Sequence, residues 1–186
     1  MKRLLAIFSI FALSLGIFAN AAFSEGTQTD GSAEVVGGDL SISVPAETTF
    51  GSLILDGTIQ TTTAELGDVT VIDATGTEAG WNVNVKASDL TRGDSYSLPK
   101  DSITLVAPSV TAEAGSSSEL EITTNGGTID NEIGVTVLDA PQEEGKGTFN
   151  VSFIEDSLSL ELRPDTALAG VYTTTITWNL VSGPSN

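Results

Sequence analysis

From Asp39 onward the chain alternates apolar and polar residues with a period of two, and nowhere holds a 3.6-residue spacing long enough for a helix. Successive side chains of a strand point to opposite faces, so parity alone assigns the faces. Leu40, Ile42 and Val44 share one face, as do Val69 with Val71, Trp81 with Val83 and Val85, and Phe149 with Val151 and Phe153. Leu158, Leu160 and Leu162 share a face against Ser157, Ser159 and Glu161. The Gly-rich stretches Asn125-Gly126-Gly127 and Glu144-Gly145-Lys146-Gly147 suit hairpin loops. About ten short strands without intervening helices predict an all-β domain, a β-sandwich of antiparallel strands that is Ig-like in outline. A closed barrel is the alternative.

The N-terminus predicts export. Met1-Lys2-Arg3 is followed by an apolar run from Leu4 to Ala19 and by small residues at Ala19-Asn20-Ala21, the pattern of a signal peptide over residues 1–21. The run is shorter than the ~20 residues a bilayer requires, so no membrane span is expected after cleavage. Residues 22–38 are rich in Ser, Gly, Thr, Asp and Glu, and read as a flexible acidic leader. The β domain then occupies residues 39–186, and no hydrophobic tail follows Val181-Ser182-Gly183-Pro184. Attachment to a cell surface is therefore expected to be non-covalent.

Charge narrows the partners. The formal net charge is −18, and removal of residues 1–21 takes away two of the seven Lys+Arg residues and none of the 25 Asp+Glu. Such a field repels nucleic acid and anionic lipid.

Absent residue types narrow the chemistry. The chain has no Cys and no His, which removes disulfides, thiolate and imidazole metal sites and every His-based nucleophilic arrangement. No cofactor is expected, and the chain is read as not an enzyme. Asp130-Asn131-Glu132 and Glu143-Glu144 lack the spaced acids of a twelve-residue calcium loop and read as solvated charge runs, so no metal site is predicted.

The last strand, Tyr172-Thr173-Thr174-Thr175-Ile176-Thr177-Trp178-Asn179-Leu180, resembles the C-terminal signature of the WxL-domain family of bacterial cell-surface, wall-associated proteins. Trp178-Asn179-Leu180 is the W-x-L itself. Asp73-Ala74-Thr75-Gly76-Thr77, then Gly80-Trp81-Asn82-Val83-Asn84-Val85, is similar to the family's first Trp-bearing segment, with Val83 where a leucine would complete a second W-x-L. The resemblance runs from Asp39 to Pro184. It implies a secreted cell-surface module that binds cell-wall peptidoglycan without a covalent bond, with other surface proteins as further partners. The alternative is a structural or partner-binding subunit of an extracellular surface assembly, in which the acidic leader docks.

Trp81, Asn82, Trp178, Asn179 and Leu180 are the candidate ligand-binding residues. Two readings of the tryptophans stay open. Both fall on the apolar face of a strand, where a ring adds several kcal/mol by burial at ~25 cal/mol per Å², yet a half-exposed pair would stack on sugar rings or peptide edges. If both are core, the outward Asn82, Asn84, Thr175, Thr177 and Asn179 supply uncharged donors and acceptors instead.

Overall fold

The computed structural model describes residues 28–93 and 96–185. The expected signal peptide, and the leader up to residue 27, lie outside the described residues. The chain divides into a unit ending at Glu34 and a unit Val35–Asn186. In the first, residues 28–34 are exposed and carry no regular secondary structure.

The second unit is built from strands. In chain order these are β1 (Leu40–Ser43), β2 (Gln60–Ala64), β3 (Val69–Asp73), β4 (Trp81–Ala87), β5 (Thr91–Arg92), β6 (Ile103–Leu105) and β7 (Ser109–Ala112). A single 3-10 turn at Glu119–Glu121 among the described residues precedes β8 (Thr123–Thr124) and β9 (Gly127–Thr128). Then come β10 (Val135–Ala140), β11 (Gly147–Ser152), β12 (Leu158–Leu162), β13 (Tyr172–Thr173) and β14 (Ile176–Ser182). All ladders are antiparallel, in the orders β1-β3-β11-β7, β14-β4-β10-β8, β2-β12-β6-β9 and β13-β5. The all-β sandwich expected from the sequence is what forms, and no sheet among the described residues closes into a barrel.

Register explains how two of the sheets meet. β11 and β12 are halves of one run that pairs with β3 then β2 on one side, and with β7 then β6 on the other. Between Val151 and Leu158 this central run holds two more residues than either neighbour, and the surplus folds out in a turn closed by Ser157 N–H donating to the Ile154 carbonyl at 3.0 Å. A bulge of this kind bends a sheet. Ser157 fixes the corner: its hydroxyl accepts from Leu66 N–H at 3.1 Å and its carbonyl from Val106 N–H at 2.8 Å. Parity put Ser157 on the solvent side with Ser159 and Glu161. It is fully buried, because the bulge breaks the alternation just before Leu158.

Both Gly-rich stretches differ from expectation in the same way. Asn125-Gly126-Gly127 joins β8, which pairs with β10, to β9, which pairs with β6, so it crosses between sheets. Glu144-Gly145-Lys146-Gly147 likewise carries the chain from β10 to β11 in another sheet. Among the described residues no strand pairs with its immediate successor.

The core draws on three sheets, those containing β4, β11 and β12. Val69, Val71, Trp81, Val83, Val85, Phe149, Val151 and Leu158 are all buried, as their parity requires, and Leu40, Ile42 and Leu162 pack at its margin. Val44, expected on the same face, lies past the end of β1 and is exposed.

Candidate functional site

β4 is the second strand of its sheet, flanked by β14 on one side and β10 on the other. Its odd-numbered residues from Trp81 to Ala87 point inward and its even-numbered ones outward, as the burial alternation shows. The candidate residues therefore separate by parity into two sets on opposite faces of the sheet.

Trp81 is enclosed completely. Its ring packs at 5.8 Å and 57° against Phe149 of the facing sheet, and its Nε1–H donates to the Gly145 carbonyl at 2.7 Å. Gly145 closes over the ring with φ +77°, and a Cβ there would stand 2.5 Å from Nε1. The close approach and the left-handed backbone both require glycine. With its one polar atom satisfied and no face open, Trp81 stands as core rather than as a stacking platform.

Trp178 and Leu180, the W and L of the motif, also face inward but are half-buried, because β14 ends its sheet. Trp178 meets Phe153 edge-on at 6.1 Å and 70°. The register sets Trp178 across from Val85 and Ser182 across from Trp81, so Leu180 lies between the two rings. Four residues of strand separate them, roughly 13 Å, and they do not form a paired platform. The signature's Tyr172 packs edge-on against Tyr96 at 6.5 Å and donates its hydroxyl to the Leu168 carbonyl at 3.0 Å.

The outward residues form a second surface. Asn179 stands across from Asn84 and Thr177 across from Lys86, while Asn84 also faces Thr136 of β10. Asn179 and Thr177 are exposed and Asn84 half-buried, which makes a strip of amides and hydroxyls across β14 and β4. Asn82, one pair further along, is already engaged: its Nδ2–H donates to the Gly183 carbonyl at 2.8 Å. Together with Gly183 N–H donating to the Gly80 carbonyl at 2.8 Å and Ser185 N–H to the Asp139 carboxylate at 3.2 Å, it ties the C-terminal segment across β4.

A feature missed in the sequence lies on the inner side. A cleft of ≈ 1130 Å³ opens between the β14 edge and the irregular segment that precedes β2, with Phe50, Leu53, Leu162, Leu168, Ile176 and Trp178 among its walls. The segment's apolar residues lack clean alternation, so parity gave them no face.

Asp130 corrects the reading of Asp130-Asn131-Glu132 as a solvated run. It is buried, and its carboxylate accepts from Ser102 N–H at 2.9 Å and Ile103 N–H at 3.0 Å. Asn131 Oδ1 accepts from Ile133 and Gly134 N–H, so Asn131 caps the turn that follows it. Glu132 is exposed and pairs with Lys100. That hydrogen bond, with the charges of Lys100 and Lys86, holds the Glu132 carboxyl below its ordinary range, and the same bond, with the negative charges of Glu132, Asp89 and Asp101, raises the Lys100 ammonium.

No curated protein and no solved structure matches the chain significantly. A family model does: the one described as WxL domain surface cell wall-binding matches residues 23–184, nearly the whole chain, and spans both Trp-bearing strands whose packing is described above. The chain belongs to the WxL-domain family of surface cell wall-binding domains.

Proposed function

We propose that the protein is exported and held on the cell wall by non-covalent binding to peptidoglycan, with the outer strip of β4 and β14 as its contact surface. The family match is the observation that carries this reading, since that family is described by surface cell wall-binding and not by a reaction. Of the five residues singled out in the sequence, Asn179 is the one exposed on this outer face, and Asn84 and Thr177 extend its reach. Amides and hydroxyls on a sheet face suit the hydroxyl and amide groups of a glycan and its peptide stems. With a net charge of −18 and anionic wall polymers, long-range forces oppose association, so the attraction is short-ranged.

Sedimentation of the secreted chain with purified walls tests the proposal. The wild type is expected to co-sediment equally well or better as salt rises, since screening at 0.15 M cuts the repulsion to about 8 Å. Asn84→Ala with Asn179→Ala is expected to reduce retention at least tenfold without loss of fold. Retention abolished by moderate salt, or absent from every wall preparation, refutes it.

A further inference from the structure

β14 ends its sheet, pairing with β4 along one side and with no other strand among the described residues. Backbone parity identifies what that leaves open. Thr175 O accepts from Ser88 N–H at 2.9 Å and Gly183 N–H donates to Gly80 O at 2.8 Å, so the odd residues turn their backbone groups toward β4. Ile176, Trp178 and Leu180 consequently turn theirs away from it. None of these outward groups has a hydrogen-bond partner among the described residues, and β1 comes near β14 without forming a ladder.

Soluble proteins guard such an edge with charge, proline, a bulge or a cover. From Val171 to Val181 there is no charged residue and no proline, and the β4–β14 register runs without a shift. At Ile176 and Trp178 this bare edge forms one wall of the ≈ 1130 Å³ cleft, whose described lining carries a single charged residue, Glu47. Alternating N–H and C=O groups beside an apolar trough are what an added strand uses: the main chain pairs with the edge, and alternate side chains enter the trough.

We infer that the open edge of β14 is a pairing site for an extended, apolar segment of a cationic polypeptide, which adds to the sheet as a further strand and fills the cleft. A polypeptide fits because it alone supplies main-chain donors and acceptors at the spacing of the outward groups of Ile176, Trp178 and Leu180. The contacting stretch must be uncharged to enter, and the partner's charge is positive because the chain carries −18. The same charge opposes a second copy of this chain. The site is distinct from the outer wall-binding strip, and the inference does not rest on that strip.

The test uses the secreted chain and a synthetic peptide of about ten residues, alternating threonine and valine between lysine-paired ends. A matching peptide is N-methylated at alternate amides on its pairing edge. Amide hydrogen exchange is followed by NMR. The unmethylated peptide is expected to slow exchange at Ile176, Trp178 and Leu180 saturably and by at least about tenfold, and the methylated one to bind at least tenfold more weakly. Ile176→Pro deletes one outward N–H and leaves the β4 ladder intact; it is expected to abolish binding while Ile176→Val retains it. Where Ile176→Pro fails to fold, the methylated peptide poses the same question on the unaltered protein. Unchanged exchange at all three amides overturns the inference, as does equal binding of the methylated peptide, which would mark plain charge attraction. Slowing that rises with protein concentration in the absence of peptide overturns it in favour of a second copy, and slowing by wall fragments but not by peptide overturns it in favour of a glycan-peptide ligand.

Discussion

Replacing the two tryptophans separately measures how differently the two Trp-bearing strands use the same residue type. Trp81 is fully enclosed, in contact with Phe149 and hydrogen-bonded to Gly145. Trp81→Ala is therefore expected to reach the upper part of the ~3–5 kcal/mol range for emptying an aromatic site. Trp81→Phe keeps a ring against Phe149 but strands the Gly145 carbonyl, a loss of about 1–3 kcal/mol, with roughly 1 kcal/mol more for the smaller ring. Trp178 is half-buried at the edge strand. Half of a tryptophan's ~200 Å² at ~25 cal/mol per Å² gives about 2–3 kcal/mol for Trp178→Ala. Urea unfolding followed by far-UV circular dichroism gives the ranking, provided the m-value is unchanged. Acrylamide quenching adds an independent check: Trp178→Phe leaves a protected Trp81, and Trp81→Phe leaves a quenchable Trp178. The reasoning fails if Trp81→Ala loses less than about 1 kcal/mol, or if Trp178→Ala is the more damaging of the two.

Three further outcomes follow from the packing. Gly145→Ala forces a Cβ to within 2.5 Å of Trp81 Nε1 at φ +77°, and should cost about 2–5 kcal/mol from backbone strain and overpacking, read by urea midpoint. Ser157→Ala strands the Leu66 amide and should cost about 1–3 kcal/mol, whereas Ser159→Ala in the same run should change stability by less than about 0.5 kcal/mol. In an NMR titration Glu132 should reach its midpoint below an ordinary glutamate, and Lys100→Met should return it most of the way. Because the folded-state value is depressed, the stabilisation from this exposed pair is present above the unfolded value and disappears as pH falls through the folded one.

Parity made the strands legible. Val69, Val71, Trp81, Val83, Val85, Phe149 and Val151 were all placed on the buried face by alternation, and the structure buries every one. Parity fails where a ladder is irregular, as at Ser157, whose neighbours hold the two surplus residues of the corner. It is also silent about pairing. The Gly-rich stretches marked turns correctly, but nothing local distinguishes a hairpin from a crossover, since that depends on which distant strand arrives alongside. Asp130 was misread for the opposite reason: a carboxylate among polar neighbours reads as solvated until the amides of Ser102 and Ile103 are brought to it. At the candidate site, inward and outward residues were separable from sequence. That Trp81 is capped by Gly145, and that β14 ends its sheet beside a cleft, depends on residues far along the chain.

A sheet system in which no described strand pairs with its successor has a consequence for how the chain reaches this structure. The shortest ladder closure joins Thr124 to Leu138, while Ala64 must find Leu158 and Ala87 must find Ile176. Each such closure gives up chain entropy before any contact compensates it, and topologies dominated by distant pairings fold on the slow side, in milliseconds to seconds. β4 cannot gain its β14 neighbour until residues 176–182 are available, so the β14-β4-β10-β8 sheet stays incomplete until that distant segment is free to pair. During that interval the uncharged Thr- and Val-rich strands are the adhesive segments, and the excess of 25 acidic over seven basic residues keeps unfinished copies apart while the last strand finds its place.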